Sequence, residues 1–505
     1  MDLTKKLLLF FLLFYFSFFY FHKINLIATD TGRHIKNGEV VLSDFKVLSS
    51  NYYSYTQPGY FFVNHHWGFG LISWVVWKTG GFGLLSFGFA LLSILTFFLA
   101  FKESEKRASF AITFLISLFI FHLVTTRTEI RPENFSYLFF ILLFLILNKF
   151  KDNKLSFTKS FFFLLIVQVL WSNTHLFFVL GPFLTFLFFI ESAISKSKLK
   201  KEFLVLLTGS AFASLINPSF IYGFLEPLNI FREYGYMVAE NQSVIFMQKR
   251  FGDFIYLQFE ALFILGVLSF LPLLKKNFKD VFVNLILFAF FGLLAWKINR
   301  MVAFFGLIYL LIIPNNLFIF LKRYKWDSYL PKTSHLAGLL FSIVFFSLVS
   351  NSKYNPFIRG IGFGLENEAG GSAKFYLDNN LKGPIFNNYD IGSYLIYSLF
   401  PKERVFIDNR PEAYSPRFIQ DVYVRSQEEE DVWNRVQKEY EFNVIYFYRR
   451  DITPWAQPFL IERVKDSNWI PVYVDNYTII LVKNSDINKE VIEKYKLPPD
   501  IFIVS

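Results

Sequence analysis

Eleven apolar runs punctuate the first 350 residues, near 7–26, 81–101, 108–125, 134–148, 161–172, 176–194, 203–216, 257–274, 281–296, 301–321 and 335–350. A helix needs about 20 mostly apolar residues to cross the hydrocarbon core of a bilayer. Inside that core the backbone must satisfy its own polar groups, which leaves helices as the spanning element for runs of this kind. The pattern therefore predicts an α-helical polytopic membrane protein with about eleven transmembrane helices. The runs 134–148 and 161–172 fall short of a full span. Flanking residues must extend them, or they break near one face. Composition agrees: 54% of residues are hydrophobic and 18% charged, against about 25% charged in a soluble domain. A water-soluble fold has no place to bury 70 phenylalanines. The basic start, Met1–Lys6, and the apolar run behind it resemble a signal sequence, but the cleavage signal at Ile27-Ala28-Thr29 is weak, so the run reads as a retained first helix.

Lys and Arg gather in alternate loops, at Lys102–Arg107, Lys149–Lys159, Lys196–Lys201, Lys275–Lys279 and Lys322–Lys332. The positive-inside rule places those loops and the N-terminus in the cytoplasm, with the C-terminus outside. The net charge of +11 thus points to membrane lipid. No basic stripe with interleaved aromatics is present, so nucleic acid is not an expected partner. The outer side then carries long loops at 27–80 and 217–256, the second holding Glu233, Glu240 and Asp253. Residues 1–350 read as the transmembrane domain and 351–505 as an extracytoplasmic α/β domain. Strand-like runs at 384–386, 404–408, 443–448, 469–474 and 477–482 alternate there with helical patterns at 389–399, 415–440 and 455–466, which predicts a mixed sheet. The absence of Cys excludes disulfides, thiolate metal sites and Cys nucleophiles.

Charged groups at the outer membrane surface are the candidates for chemistry. Asp30, with Arg33 and His34, follows the first span; it fits a base, a divalent-cation ligand or an ordinary helix N-cap. Asn64-His65-His66-Trp67 fits a polar site or an interfacial anchor. In Arg127-Thr-Glu129-Ile-Arg131-Pro-Glu133, Pro132 and Glu133 suit a helix start, while the two arginines suit bidentate phosphate binding. Asn173 and His175 occupy polar backbone between two apolar runs, either a tight turn or the wall of a wet cavity. Lys297 and Arg300 run against the charge bias of the outer loops, which suggests an anionic partner. Glu240 and Glu260 are further acids. In the C-terminal domain Gly392 reads as structural, whereas Asp408 and Arg410, following a strand-like run, fit ligand recognition.

The runs Asp30-Thr-Gly-Arg-His34, Ser54-Tyr-Thr-Gln-Pro58-Gly59, Val63-Asn64-His65-His66-Trp67, Arg131-Pro132-Glu133, Asn173-Thr-His175, Asn388-Tyr-Asp390-Ile-Gly392 and Phe406-Ile-Asp408-Asn-Arg410 resemble, in that order, a family of bacterial polytopic membrane proteins. The layout is similar to the GT-C superfamily of glycosyltransferases, which use polyprenyl-phosphate-linked sugars outside the membrane. The resemblance implies an inverting glycosyltransferase in the bacterial plasma membrane, with a glycan, lipid or protein of the cell envelope as acceptor. It implies Asp30 as catalytic base or as ligand of a divalent cation, Mg or Mn. Glu240 or Glu133 would be an assisting acid, and Arg131, Lys297 and Arg300 would hold the donor phosphate. His34, Asn64, His65, Asn173, His175, Asp408 and Arg410 would contact substrate. The family usually carries Glu where this chain has His66, which puts any acid or metal role there in doubt. A transporter or flippase of lipid-linked glycans, and a non-catalytic envelope scaffold, are the competing readings.

Overall fold

The computed structural model describes residues 2–231, 234–236, 239–350, 355–357, 361–366, 370–498 and 501. Glu233, named above among the outer acids, lies outside the described residues. Two compact units are present. The first comprises Met1–Lys23, Ser86–Pro227 and Met237–Phe363; the second comprises Ile24–Leu85, Leu228–Tyr236 and Gly364–Ser505.

All eleven apolar runs are substantially helical. Among the described residues, five helices are long and apolar enough to cross a membrane: Trp67–Arg107, Glu133–Lys151, Leu176–Ile194, Phe254–Leu274 and Asn299–Arg323. Shorter apolar helices cover Phe110–Val124, Phe157–Ser172, Val281–Lys297 and Thr333–Val349. The short runs 134–148 and 161–172 are indeed lengthened by their flanks. Starts are fixed locally: Ser109 and Ser156 accept from the amides of Ile112 and Lys159, capping Phe110–Val124 and Phe157–Ser172. With no hydrophobic effect between helices in lipid, packing and interhelical hydrogen bonds must hold them together. The first unit supplies both. Phe16 stacks on Phe97 at 4.3 Å between ring centroids, and Phe291 lies 4.5 Å from Phe304. The wholly buried Gln168 donates to Phe178 O and to Ser214 Oγ, each at 2.9 Å.

The second unit is built on a four-stranded mixed sheet in the order β1-β2-β4-β3. Here β1 (Ile385–Asn387) runs parallel to β2 (Val444–Tyr448), while β4 (Thr478–Lys483) is antiparallel to both β2 and β3 (Trp469–Val474). Every strand is almost entirely buried, with an apolar cluster on each face. The strand-like run 404–408 does not join this sheet. Its backbone is satisfied by other groups: Asn387 accepts from Phe406 N and donates to Ile407 O, and Ser54 and Thr56 donate to Phe406 O. Residues 27–80, read from sequence as an outer loop, thus fall within this unit and supply Ile27, Val40 and Tyr53 to one of its clusters.

Candidate functional site

Asp30 stands at the head of the helix Thr31–Asp44 but makes no capping hydrogen bond through its side chain. Its Oδ1 instead accepts from Asn409 Nδ2. The same amide accepts from Arg33 Nε at 3.2 Å, and the Arg33 backbone amide donates to Ser393 Oγ at 3.0 Å. One asparagine therefore links a carboxylate and a guanidinium that lie one helical turn apart. This arrangement depends on close backbone approach. A Cβ on Gly32 would lie 2.8 Å from Tyr397 Cβ, and one on Gly392 would lie 2.7 Å from Ile407 O. Glycine at both places lets the helices Thr31–Asp44 and Gly392–Leu399 pack against each other and against residues 407–408.

Asn409 is set in turn by its neighbours. Asp408 and Arg410 are 0% and 1% exposed and form a bidentate pair, with Nε–Oδ1 and Nη2–Oδ2 both 2.7 Å. Tyr414 donates its hydroxyl to Asp408 Oδ2 at 2.8 Å, and Arg410 Nη2 donates to Asn51 Oδ1 at 3.1 Å. The rings of Tyr53 and Phe62 flank the guanidinium at 5.2 and 5.0 Å. Burial opposes the charge on Asp408, yet Arg410 outweighs it and holds the carboxyl below its ordinary value. Glu412 shows the opposite balance: burial pushes its carboxyl up despite Arg33 and Arg410 nearby.

His34 and Asn64 are buried in the same unit, with His65 partly so. The His34 ring lies 4.7 Å from Phe69 and 5.6 Å from His66, while His65 Nδ1 contacts Val63 O at 3.1 Å. The Asn64 Nδ2 atom is buried without a hydrogen-bond partner among the described residues. Asp30 is the residue at which a Mg or Mn ion is expected from the sequence. Among the described residues, no group of three or more His, Asp or Glu side chains is placed to hold a metal ion. Asp30 itself faces an amide and lies one turn from a guanidinium.

The first unit holds a second polar centre. Arg127 Nη2 reaches Glu133 Oε1 at 3.0 Å and Glu240 Oε2 at 2.8 Å, while Arg131 Nη1 lies 2.8 Å from Glu240 Oε1. Glu129 and Arg300 lie within electrostatic reach of the same groups. Burial would raise the Glu240 carboxyl, but Arg127 and Arg131 hold it far below the usual carboxylate range. Arg300 has a buried Nε with no hydrogen-bond partner among the described residues, and its guanidinium lies 5.7 Å from the Phe177 ring. Lys297 is exposed at the end of its helix. His175 is buried, 2.6 Å from Ser136 Oγ, and Asn173 Nδ2 bridges Val169 O and Ile216 O at 2.7 Å each.

The structure thus gathers Glu133, Glu240, Arg131 and Arg300 in one unit, and Asp30, His34, Asn64, His65, Asp408 and Arg410 in the other. Asn409 and Glu412 were not singled out as site residues from sequence, whereas Arg127 was read there with Arg131 as a phosphate-binding arginine. Asn409 meets Asp30 across 379 positions, a separation that leaves no local signal.

The fold combines apolar helices of membrane-spanning type with a small C-terminal mixed sheet. It is shared with an archaeal oligosaccharyltransferase, AglB from Archaeoglobus fulgidus. The AglB complex with an inhibitory peptide and a dolichol-phosphate superposes with a TM-score of 0.61 at 10% identity, over 96% of this chain and 75% of that one. The apo form of the Archaeoglobus fulgidus oligosaccharyltransferase gives 0.57 at 10% identity, over 95% and 74%. Its complex with Zn and sulfate gives 0.50 at 10% identity, over 94% and 73%. No protein-family model and no curated protein sequence matches the chain.

Proposed function

We propose that this chain is a membrane glycosyltransferase that moves a sugar from a polyprenyl-phosphate-linked donor to a cell-envelope acceptor on the outer face of a bacterial membrane. The observation that supports it most is the likeness, over 96% of this chain, to a solved archaeal oligosaccharyltransferase in complex with an inhibitory peptide and a dolichol-phosphate. Asp30 is the base. Its carboxylate is not engaged in capping its own helix, and Asn409 orients it. In the transfer, an acceptor heteroatom attacks the anomeric carbon, the bond from that carbon to the phosphate oxygen breaks, and Asp30 takes the acceptor's proton. Configuration at the anomeric carbon inverts. The departing polyprenyl phosphate keeps the electron pair, so cations must meet its charge.

Arg131 and Arg300 supply that charge, with Lys297 contributing from the exposed helix end. Glu133 and Glu240 serve here as counter-ions that align the arginines. A carboxyl held as low as that of Glu240 is a weak base, since an effective base titrates near the working pH. Asp408 and Arg410 act as positioning residues through Asn409, while His34 lies one turn into the helix that Asp30 precedes. The test is a proteoliposome assay with labelled polyprenyl-phosphate-linked sugars and an envelope extract as acceptor. Transfer of label with release of polyprenyl phosphate is expected; label that stays on the donor across all sugars tried overturns the proposal.

A further inference from the structure

The first unit contains a cavity of about 260 Å³ that the proposed chemistry does not use. Among its walls are Phe19, His22, Thr128, Asp253, Tyr256 and Asn299, brought together from the segment after the first helix (Leu3–Ser17), the loop after Phe110–Val124, the start of Phe254–Lys297 and the turn Asn299–Met301. Ligand pockets for drug-sized molecules run about 300–1,000 Å³, so this one has room for a single ring and its substituents. The wall chemistry is mixed. Phe19 and Tyr256 offer apolar ring surface, and a carboxylate, an amide, a hydroxyl and an imidazole offer hydrogen bonds. The His22 Nε2 atom is buried without a hydrogen-bond partner among the described residues, and a buried polar atom left so is costly unless something completes it. Asp253 precedes Phe254 at the N-cap position yet makes no side-chain cap hydrogen bond.

Position adds the second argument. Thr128 follows Arg127 directly and Asn299 precedes Arg300 directly, so wall residues are covalent neighbours of two of the three clustered arginines. Consecutive Cα atoms are about 3.8 Å apart. A ligand that seats a ring in the cavity and an anionic group on the arginines would be a ring joined to phosphorus through a single bridging oxygen.

We infer that this cavity is a hexopyranose subsite that reads the sugar of a phosphate-linked donor whose phosphate lies on the arginine cluster. The inference rests on the proposed phosphate role of Arg131 and Arg300. Apolar ring faces stack on the C–H face of the sugar while Asp253, Asn299 and Thr128 bond its hydroxyls, and a hydroxyl-matching site rejects an analogue that lacks the group.

The test measures binding of two probes to the full-length protein in nanodiscs: farnesyl phosphate, and farnesyl phosphate esterified at the anomeric position of glucose, mannose or galactose. At least one sugar-bearing probe is expected to bind about tenfold more tightly than farnesyl phosphate, the gain of one or two net hydrogen bonds. Asp253→Asn and Asn299→Ala should each remove most of that gain while leaving farnesyl phosphate binding unchanged. Tyr256→Phe, which keeps the ring, guards against a folding defect and should retain most of it. Equal binding of every probe in the wild-type protein overturns the subsite and leaves the phosphate role standing. Failure of farnesyl phosphate itself to bind overturns both. A gain that survives Asp253→Asn and Asn299→Ala places the sugar elsewhere and also overturns the subsite.

Discussion

Asp408→Asn is the sharpest test of how the second unit holds Asn409. The substitution preserves shape and removes one charge from a pair that is wholly buried, with both bonds at 2.7 Å. The Arg410 cation then remains between Tyr53 and Phe62 with no carboxylate to balance it. Removing one partner of a buried ion pair costs about 3–5 kcal/mol. Loss of the ionic acceptor of Tyr414 falls within that figure. For a unit this size the cost corresponds to a fall of roughly 6–20 °C in the melting midpoint. Differential scanning fluorimetry of the detergent-solubilised protein at one scan rate reads it, with circular dichroism to follow helix content. The double variant Asp408→Leu with Arg410→Met, which removes both charges, should recover most of the loss. A single variant that melts within about 2 °C of wild type would refute the reasoning, because the pair would then be solvated or replaceable.

Arg300→Ala should weaken farnesyl phosphate binding by about 10- to 150-fold, the value of one charged hydrogen-bonding contact; unchanged affinity by titration in nanodiscs removes Arg300 from the phosphate site. Gly392→Ala should cost about 1–3 kcal/mol and lower transfer further than its loss of stability explains, because the added Cβ presses on Ile407 and Asp408. A variant with wild-type melting and transfer contradicts the close packing. Acid should remove the stability that Asp408 and Glu240 contribute, against a smaller opposing effect of the raised Glu412 carboxyl. Asp408 and Glu240 are held below their ordinary values of 3.8 and 4.5, so the unfolded chain takes up protons first. Their contribution is complete above about pH 4.5 and drains as pH falls below it; a melting midpoint that rises on acidification from pH 5 to pH 3 would contradict the sign.

Much of the fold was legible because its signals are local. The apolar runs are continuous, and ten of the eleven are helical over most of their length, while 7–26 is helical only to Ser17; Val444–Tyr448 and Thr478–Lys483 show dense β-branched and aromatic character, and both pair. The run 404–408 has the same local character, and the reason it stays out of the sheet lies in Asn387, Ser54 and Thr56, which no window of sequence places beside it. Glu133, Glu240, Arg131 and Arg300 stood out because charge near a span is expensive. Their pairing did not, since Arg127 and Glu240 lie 113 positions apart. Asp30 was visible from its place after the first apolar run. Asn409, between two charged neighbours, was not, although it carries the contact to Asp30.

The most direct test of the central claim is single-turnover transfer by Asp30→Asn in proteoliposomes preloaded with a donor that the wild-type protein uses. Loss of a positioned base should slow transfer by about 10²- to 10⁴-fold with donor affinity and melting midpoint unchanged. Transfer at the wild-type rate would contradict the account, since the one carboxylate at the head of Thr31–Asp44 would then take no proton.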